Sequence, residues 1–163
     1  MDLTEDILFI VNTVWFFLAA YLANAAPVIF GGGAPLDGGR LFIDGKPLLG
    51  SHKTKRGAVA GILTGFITGL AQMDPLRGFL LGLGAILGDL ANSFAKRRLD
   101  LKPGAQLPAF DQLSFIFGAT ALVSLVPPHP TGKMIATIVV ATVPIHYVSN
   151  LFAYLMRMKS RPW

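Results

Sequence analysis

Asp89, Asn92, Ser93 and Lys96 stand at offsets of 0, 3, 4 and 7 in the run Gly88-Asp89-Leu90-Ala91-Asn92-Ser93-Phe94-Ala95-Lys96-Arg97-Arg98. Residues at that spacing share one face of a helix. A carboxylate, an amide, a hydroxyl and an ammonium therefore line one stripe leading to a basic terminus, an arrangement suited to a polar, charged ligand. Asp111 follows after a segment that carries Arg97, Arg98 and Lys102. Two carboxylates among several cations make the composition of a magnesium–nucleotide site, where Mg²⁺ takes one or two carboxylates, keeps waters and binds phosphate oxygens. The same residues also admit a plainer arrangement, with Asp89 paired to Lys96 or Arg97 and Asp111 capping a helix.

The elements that must position these residues are set by composition. Of 163 residues, 53% are hydrophobic and 14% charged, with a mean hydropathy of +0.58, far more apolar than an ordinary soluble domain. A membrane-crossing helix needs about 20 mostly apolar residues, with every backbone polar group satisfied internally. Five stretches meet that description, near 7–29, 57–73, 77–95, 112–128 and 134–156. The expectation is an all-α integral membrane protein, residues 1–163 forming a single transmembrane catalytic domain. The first stretch follows the acidic start Asp2, Glu5 and Asp6, so it lacks the basic flank of a signal peptide and is expected to stay in the mature protein. A carboxylate near the hydrocarbon edge costs about 2.5–3.5 kcal/mol even on the lenient insertion scale, so Asp89 needs a cation or a basic partner.

Basic residues fix the orientation. Arg40, Lys46, Lys53, Lys55 and Arg56 fall between the first two stretches, Lys96, Arg97, Arg98 and Lys102 between the third and fourth, and Arg157, Lys159 and Arg161 in the tail. Arg77 and Lys133 alone lie on the other side. The positive-inside rule then places the N-terminus outside, the C-terminus inside and both long loops in the cytoplasm. The outer loops are too short to hold a site, so any chemistry faces the cytoplasm at the cell membrane. The net charge of +5 is explained by this orientation and by contact with anionic lipid or phosphate, and nucleic acid is not an expected partner. With no cysteine, disulfides, thiolate metal sites and a cysteine nucleophile are excluded.

Within the stretches, Gly57, Gly61, Gly65 and Gly69 recur every four residues, as do Gly78 with Gly82 and Gly84 with Gly88. Such small-residue seams let helices pack closely in lipid. His146 and Asn150, with Asn12 and Asn24, call for interhelical partners.

The string Gly88-Asp89-Leu90, Ser93, Lys96-Arg97, Lys102, Leu107-Pro108 and Asp111-Gln112 resembles the signature of the CDP-diglyceride synthases (phosphatidate cytidylyltransferases). Lys53-Thr54-Lys55-Arg56-Gly57 is similar to the K-T-W-E-G element of the same enzymes, and Leu36-Asp37-Gly38-Gly39-Arg40 to a feature of their archaeal branch, the CDP-archaeol synthases, which share the size and the five spans. The bacterial H-G-G segment is missing, and Gln112 and Ser114 replace an Arg and an Asp.

That resemblance implies transfer of CMP from CTP to an isoprenoid ether-lipid phosphate, 2,3-bis-O-geranylgeranylglycerol 1-phosphate, with release of pyrophosphate. It implies Mg²⁺, with Mn²⁺ able to substitute, on Asp89 and Asp111. Lys96 would act with these carboxylates in catalysis, and Lys53, Thr54, Arg56, Asn92, Ser93, Arg97 and Lys102 would contact substrate. Arg40, Lys46 and Lys55 are left as surface charge. Two rivals remain. Asp37-Gly38-Gly39-Arg40 resembles the start of the CDP-alcohol phosphotransferase motif, although the second stretch carries none of that motif's further acids. A small ion- or proton-coupled transporter could instead use Asp89 and His146 as a relay, although no inverted repeat or paired half-helices stand out.

Overall fold

The computed structural model describes residues 3–101, 105, 107 and 109–157. Five helices occur among them: α1 (Leu3–Phe30), α2 (Lys55–Ala71), α3 (Pro75–Arg98), α4 (Phe110–Val123) and α5 (Gly132–Leu155). The extended pairing among the described residues is limited to isolated bridges in the first loop, Pro35 with Thr54 and Leu41 with Pro47.

Local chemistry sets the helix starts. The Thr54 and Thr131 hydroxyls accept the backbone N–H of Gly57 and Met134, and the Asp74 carboxylate accepts that of Arg77 ahead of Pro75 at the first helical position. The fourth helix stops earlier than the apolar pattern suggests, at Val123 rather than near residue 128. Pro127 and Pro128 follow, and proline disfavours helical backbone in the residue before it while offering no N–H of its own. Helices α1, α3 and α5, of 28, 24 and 24 residues, are long and apolar enough to cross a membrane. Helices α2 and α4 have 17 and 14 residues. At about 1.5 Å per residue they fall short of a hydrocarbon layer of about 30 Å.

Glycines set how the helices pack. A Cβ on Gly65 would lie 2.6 Å from the Gly82 Cα, and one on Gly69 would lie 2.7 Å from that of Gly78. The two numbers in each pair rise and fall in opposition, so α2 and α3 run antiparallel with their backbones in contact. The second α3 seam meets a partner the sequence reading did not find: Gly84 and Gly88 press on Gly118 and Ser114 of α4, again antiparallel. On the far side of α2, a Cβ on Gly57 would meet Pro27, and one on Gly61 would meet Ala23 together with Ile86 of α3. α3 is thus held backbone-close between α2 and α4. The buried core of Phe17, Ala20, Ala23, Leu81, Ala85, Phe115, Ile116, Ala119, Val123 and Ile138 fills the rest of the bundle.

α5 joins more loosely. Ile138 and Thr142 are its buried residues, and the Thr142 hydroxyl lies 2.6 Å from the Tyr21 hydroxyl of α1. Its outer face exposes Val140, Val143, Tyr147, Val148 and Phe152, a surface that hydrocarbon satisfies and water does not. The end of α1, the start of α2, the end of α3, the start of α4 and the end of α5 share one end of the bundle. The first long loop lies there, with the described residues that follow α3.

Candidate active site

At that end, the close approach of Gly88 to Ser114 draws the first turn of α4 against the last turns of α3, so Asp111 lands opposite Asn92 and Lys96. Lys96 Nζ donates to Asp111 Oδ1 and Oδ2 at 2.8 and 3.0 Å. Asn92 Nδ2 donates to Oδ1 at 2.6 Å, and the Leu107 backbone N–H donates to Oδ2 at 2.9 Å. One turn before Asn92 on the same stripe, Asp89 Oδ2 accepts from Lys53 Nζ at 2.5 Å. Both ion pairs are half-buried. Removing one member of such a pair leaves its partner charge poorly solvated.

The stripe read from the sequence is therefore real, and the two carboxylates and two of the lysines meet on it. Neither plain pairing foreseen for Asp89 occurs, because its partner is Lys53 from the first loop rather than Lys96 or Arg97. Asp111 does bond a backbone N–H at the approach to α4, yet it also takes Lys96 and Asn92. Ser93 and Arg97 are buried on α3, while Arg56 is exposed. Thr54 is buried and its hydroxyl oxygen caps α2, which gives it a structural duty beside the substrate contact expected of it. Lys102, Pro108, Lys159 and Arg161 lie outside the described residues. His146 Nδ1 lies 2.9 Å from Asn150 Nδ2, one turn along α5.

The first loop carries an internal scaffold. The Asp37 carboxylate accepts the N–H groups of Gly39, Leu49 and Gly50 at 2.9, 2.9 and 3.3 Å. Burial alone would raise its pKa, but these N–H donors more than offset that and hold the carboxyl below its ordinary value. Leu36 N–H donates to the Lys53 carbonyl and Lys55 N–H to that of Ala34, closing the base of the loop beside α2. Asp37 is thus an organiser of the loop.

Lys46, left as surface charge by the sequence, makes specific contacts at that surface. It pairs with Asp100 at 2.7 Å and donates to the Arg98 carbonyl at 3.1 Å. Arg98 in turn lies 3.0 Å from Asp44, donates to the Pro47 carbonyl at 2.6 Å, and stacks over Phe42 and Phe94. The sequence signal available for this contact was Ile43-Asp44-Gly45-Lys46, a tight-turn pattern whose short hairpin must rest on something.

Fit to a divalent cation follows from the donor set. Among the described residues no three His, Cys, Asp or Glu side chains cluster as a metal cage. Asp89 and Asp111 offer hard oxygens, and the buried Asn92 Oδ1 accepts no hydrogen bond from any described residue while its Nδ2 is committed to Asp111. That set fits a cation such as Mg²⁺, which takes few protein ligands and shares the rest with waters and phosphate oxygens. It does not fit the soft or imidazole ligation typical of structural zinc.

Comparison with known proteins agrees with this construction. The family profile described as "CarS-like: CDP-archaeol synthase" matches residues 6–163. A CDP-archaeol synthase of Methanopyrus kandleri is 43% identical over 92% of this chain and 91% of its own length. One of Thermococcus kodakarensis is 43% identical over 91% and 94%. A solved structure described as "Structural insight into an intramembrane enzyme for archaeal membrane lipids biosynthesis" superposes with a TM-score of 0.76 at 34% identity, covering 87% of this chain and 94% of the other.

Proposed function

The chain belongs to the CDP-archaeol synthase family, and from that premise we propose that the Lys53–Asp89 and Lys96–Asp111 pairs form the site at which CMP passes from CTP to an isoprenoid ether-lipid phosphate. The protein is a membrane cytidylyltransferase of archaeal lipid biosynthesis. The observation that carries the site assignment is the convergence of two carboxylates and two lysines from three separate segments on one stripe.

In this reaction an oxygen of the lipid phosphate attacks the α-phosphorus of CTP. The bond to the bridging oxygen breaks as the new P–O bond forms, and pyrophosphate leaves with the electron pair. No protein nucleophile is required, so catalysis rests on positioning and on neutralising charge. Lys53 and Lys96, now paired with carboxylates, would turn to phosphate oxygens, with Arg56, Arg97 and Lys102 adding positive charge. Asn92 and Ser93 would orient the bound groups. Asp89 and Asp111 would hold Mg²⁺, or Mn²⁺ in its place, and the Asn92 carbonyl stands beside them. Bound there, the cation would supply charge neutralisation between the phosphates.

A five-crossing topology, in which the short α2 and α4 would cross where the bilayer thins around them, is supported by the antiparallel succession of α1 to α4 and by the gathering of basic residues at one end. In this arrangement the N-terminus is outside and the site opens to the cytoplasm, the chain forming one catalytic domain. The diprenyl tails would reach the site from the inner leaflet. The reading is tested by incubating purified protein with CTP and Mg²⁺ against a panel of lipid phosphates differing in ether or ester linkage, and following pyrophosphate. Release with the ether lipid supports it. No release with any lipid phosphate contradicts it.

A further inference from the structure

The first loop is fastened to α3 at two places: at the site, by Lys53 on Asp89, and about two and a half turns further along, by Arg98. We propose that Arg98 is a positioning residue for the transfer reaction, holding the Leu41–Pro47 hairpin on the end of α3 so that Lys53 stays at the site when Asp89 releases it.

The hairpin is short and closed by its own backbone: Phe42 N–H donates to the Lys46 carbonyl, and Leu48 N–H to that of Arg40. Its contacts with α3 converge on one side chain. The Arg98 guanidinium carbon sits 4.9 Å from the Phe42 ring centre and 4.6 Å from that of Phe94, and these rings meet edge to face at 5.1 Å. The same guanidinium lies 3.0 Å from the Asp44 carboxylate in the turn of the hairpin and donates to the Pro47 carbonyl on its second arm. Lys46 adds a second cation, bridging back to Asp100 and the Arg98 carbonyl. A planar guanidinium stacked on two rings, with one hydrogen bond and one carboxylate beside it, is a contact that lysine reproduces only in part.

From the hairpin the connection to the site is continuous. Leu48 bonds Arg40, Asp37 gathers Gly39, Leu49 and Gly50, and Lys53 N–H donates to the Gly50 carbonyl. The proposal rests on the reading that Lys53 exchanges Asp89 for a phosphate. Once that exchange occurs, the Lys53–Asp89 pair no longer anchors the loop, whereas the Arg98 contacts do not involve Asp89 and persist. Without them the loop would have to be ordered anew at each binding event, and that cost falls on substrate affinity.

The test uses full-length protein, which has no cysteine of its own, with a nitroxide on Ile43→Cys, whose native side chain is 93% exposed. In Arg98→Ala the label should become mobile, and the KM for CTP should rise on the order of tenfold while kcat changes less than about twofold. Lys46→Ala should shift both readings in the same direction by less. Arg98→Lys should recover part of the affinity. An unaltered KM in Arg98→Ala, or a fall in kcat matching the loss of folded protein at constant KM, overturns the proposal. So does a label that stays immobile. If Arg98→Ala does not fold, Lys46→Ala and Phe42→Leu decide the matter on the same two readings. Failure of the underlying reading is distinguishable, because Lys53→Ala would then keep a normal KM for CTP while the label in Arg98→Ala still reports a loosened loop.

Discussion

Lys96 grips both oxygens of Asp111, 15 residues further along the chain, at 2.8 and 3.0 Å. A lysine that neutralises a carboxylate in this way is also poised to exchange it for a phosphate. The Lys53–Asp89 pair repeats the arrangement, so in the proposed reaction a divalent cation and a triphosphate arriving together would meet all four charges at once.

Cooperative binding follows. CTP with Mg²⁺ should raise the melting temperature, whereas CTP in chelator should give little protection, since on the proposed reading a triphosphate beside Asp89 and Asp111 would need a shared cation. Differential scanning in the two buffers checks this. Equal protection in chelator would remove the cation from the account.

Helix contact at Gly65 leaves no room for a methyl group. Gly65→Ala should destabilise by about 1–3 kcal/mol, because its Cβ would meet the Gly82 backbone rather than a movable side chain. Gly132→Ala, where an added Cβ meets nothing, is the comparison. Melting of the two variants in one detergent decides it, and similar losses would show that the seam is not close-packed.

Asp37 gives a pH signature. Its carboxyl is held below its ordinary pKa in the folded protein, so the stability it contributes is present above the unfolded-state value of about 3.9 and is lost as pH falls through the folded value. The margin in melting temperature of the native protein over Asp37→Asn should hold from neutral pH down to about 4 and then close. A margin that stayed constant below that pH would mean the charge is not what binds the three N–H groups.

Orientation is open to direct labelling. With single cysteines at Ile43, Ala105 and His129 in sealed right-side-out vesicles, an impermeant reagent should reach only His129→Cys. Reaction at position 43 or 105 would reverse the topology.

Much of this was legible because its cause is local. The stripe from Asp89 to Lys96 follows from helical spacing alone, and the glycines at every fourth residue announced close packing of α2 and α3, though not that the two pack on each other. What the sequence hid are contacts made between segments. Nothing near Ser114 and Gly118 marks them as the surface that receives Gly84 and Gly88. Lys53 and Asp89 lie 36 residues apart, so their pairing depends on how the first loop folds back. The Asp44-Gly45 turn marked the hairpin but not what it rests on, since Lys46 reads as one more inside-facing charge until Asp100 and Arg98 are beside it. The early end of α4 was readable from Pro127 and Pro128, but the apolar run through Val126 outweighed them.

The most direct test of the central claim is turnover of Asp89→Asn and Asp111→Asn, measured as pyrophosphate released from CTP with Mg²⁺ and the ether-lipid phosphate, alongside Lys55→Gln. Asparagine keeps the shape and removes the charge, and Lys55 is exposed in the same basic region. Each carboxylate change should lower kcat, per folded molecule, by on the order of 10²-fold or more, beyond any loss of melting temperature from the unpaired lysine, while Lys55→Gln should stay close to the native protein. Near-native turnover in Asp89→Asn, or an equal loss in Lys55→Gln, would contradict the assignment and reduce the site to a generally basic membrane face.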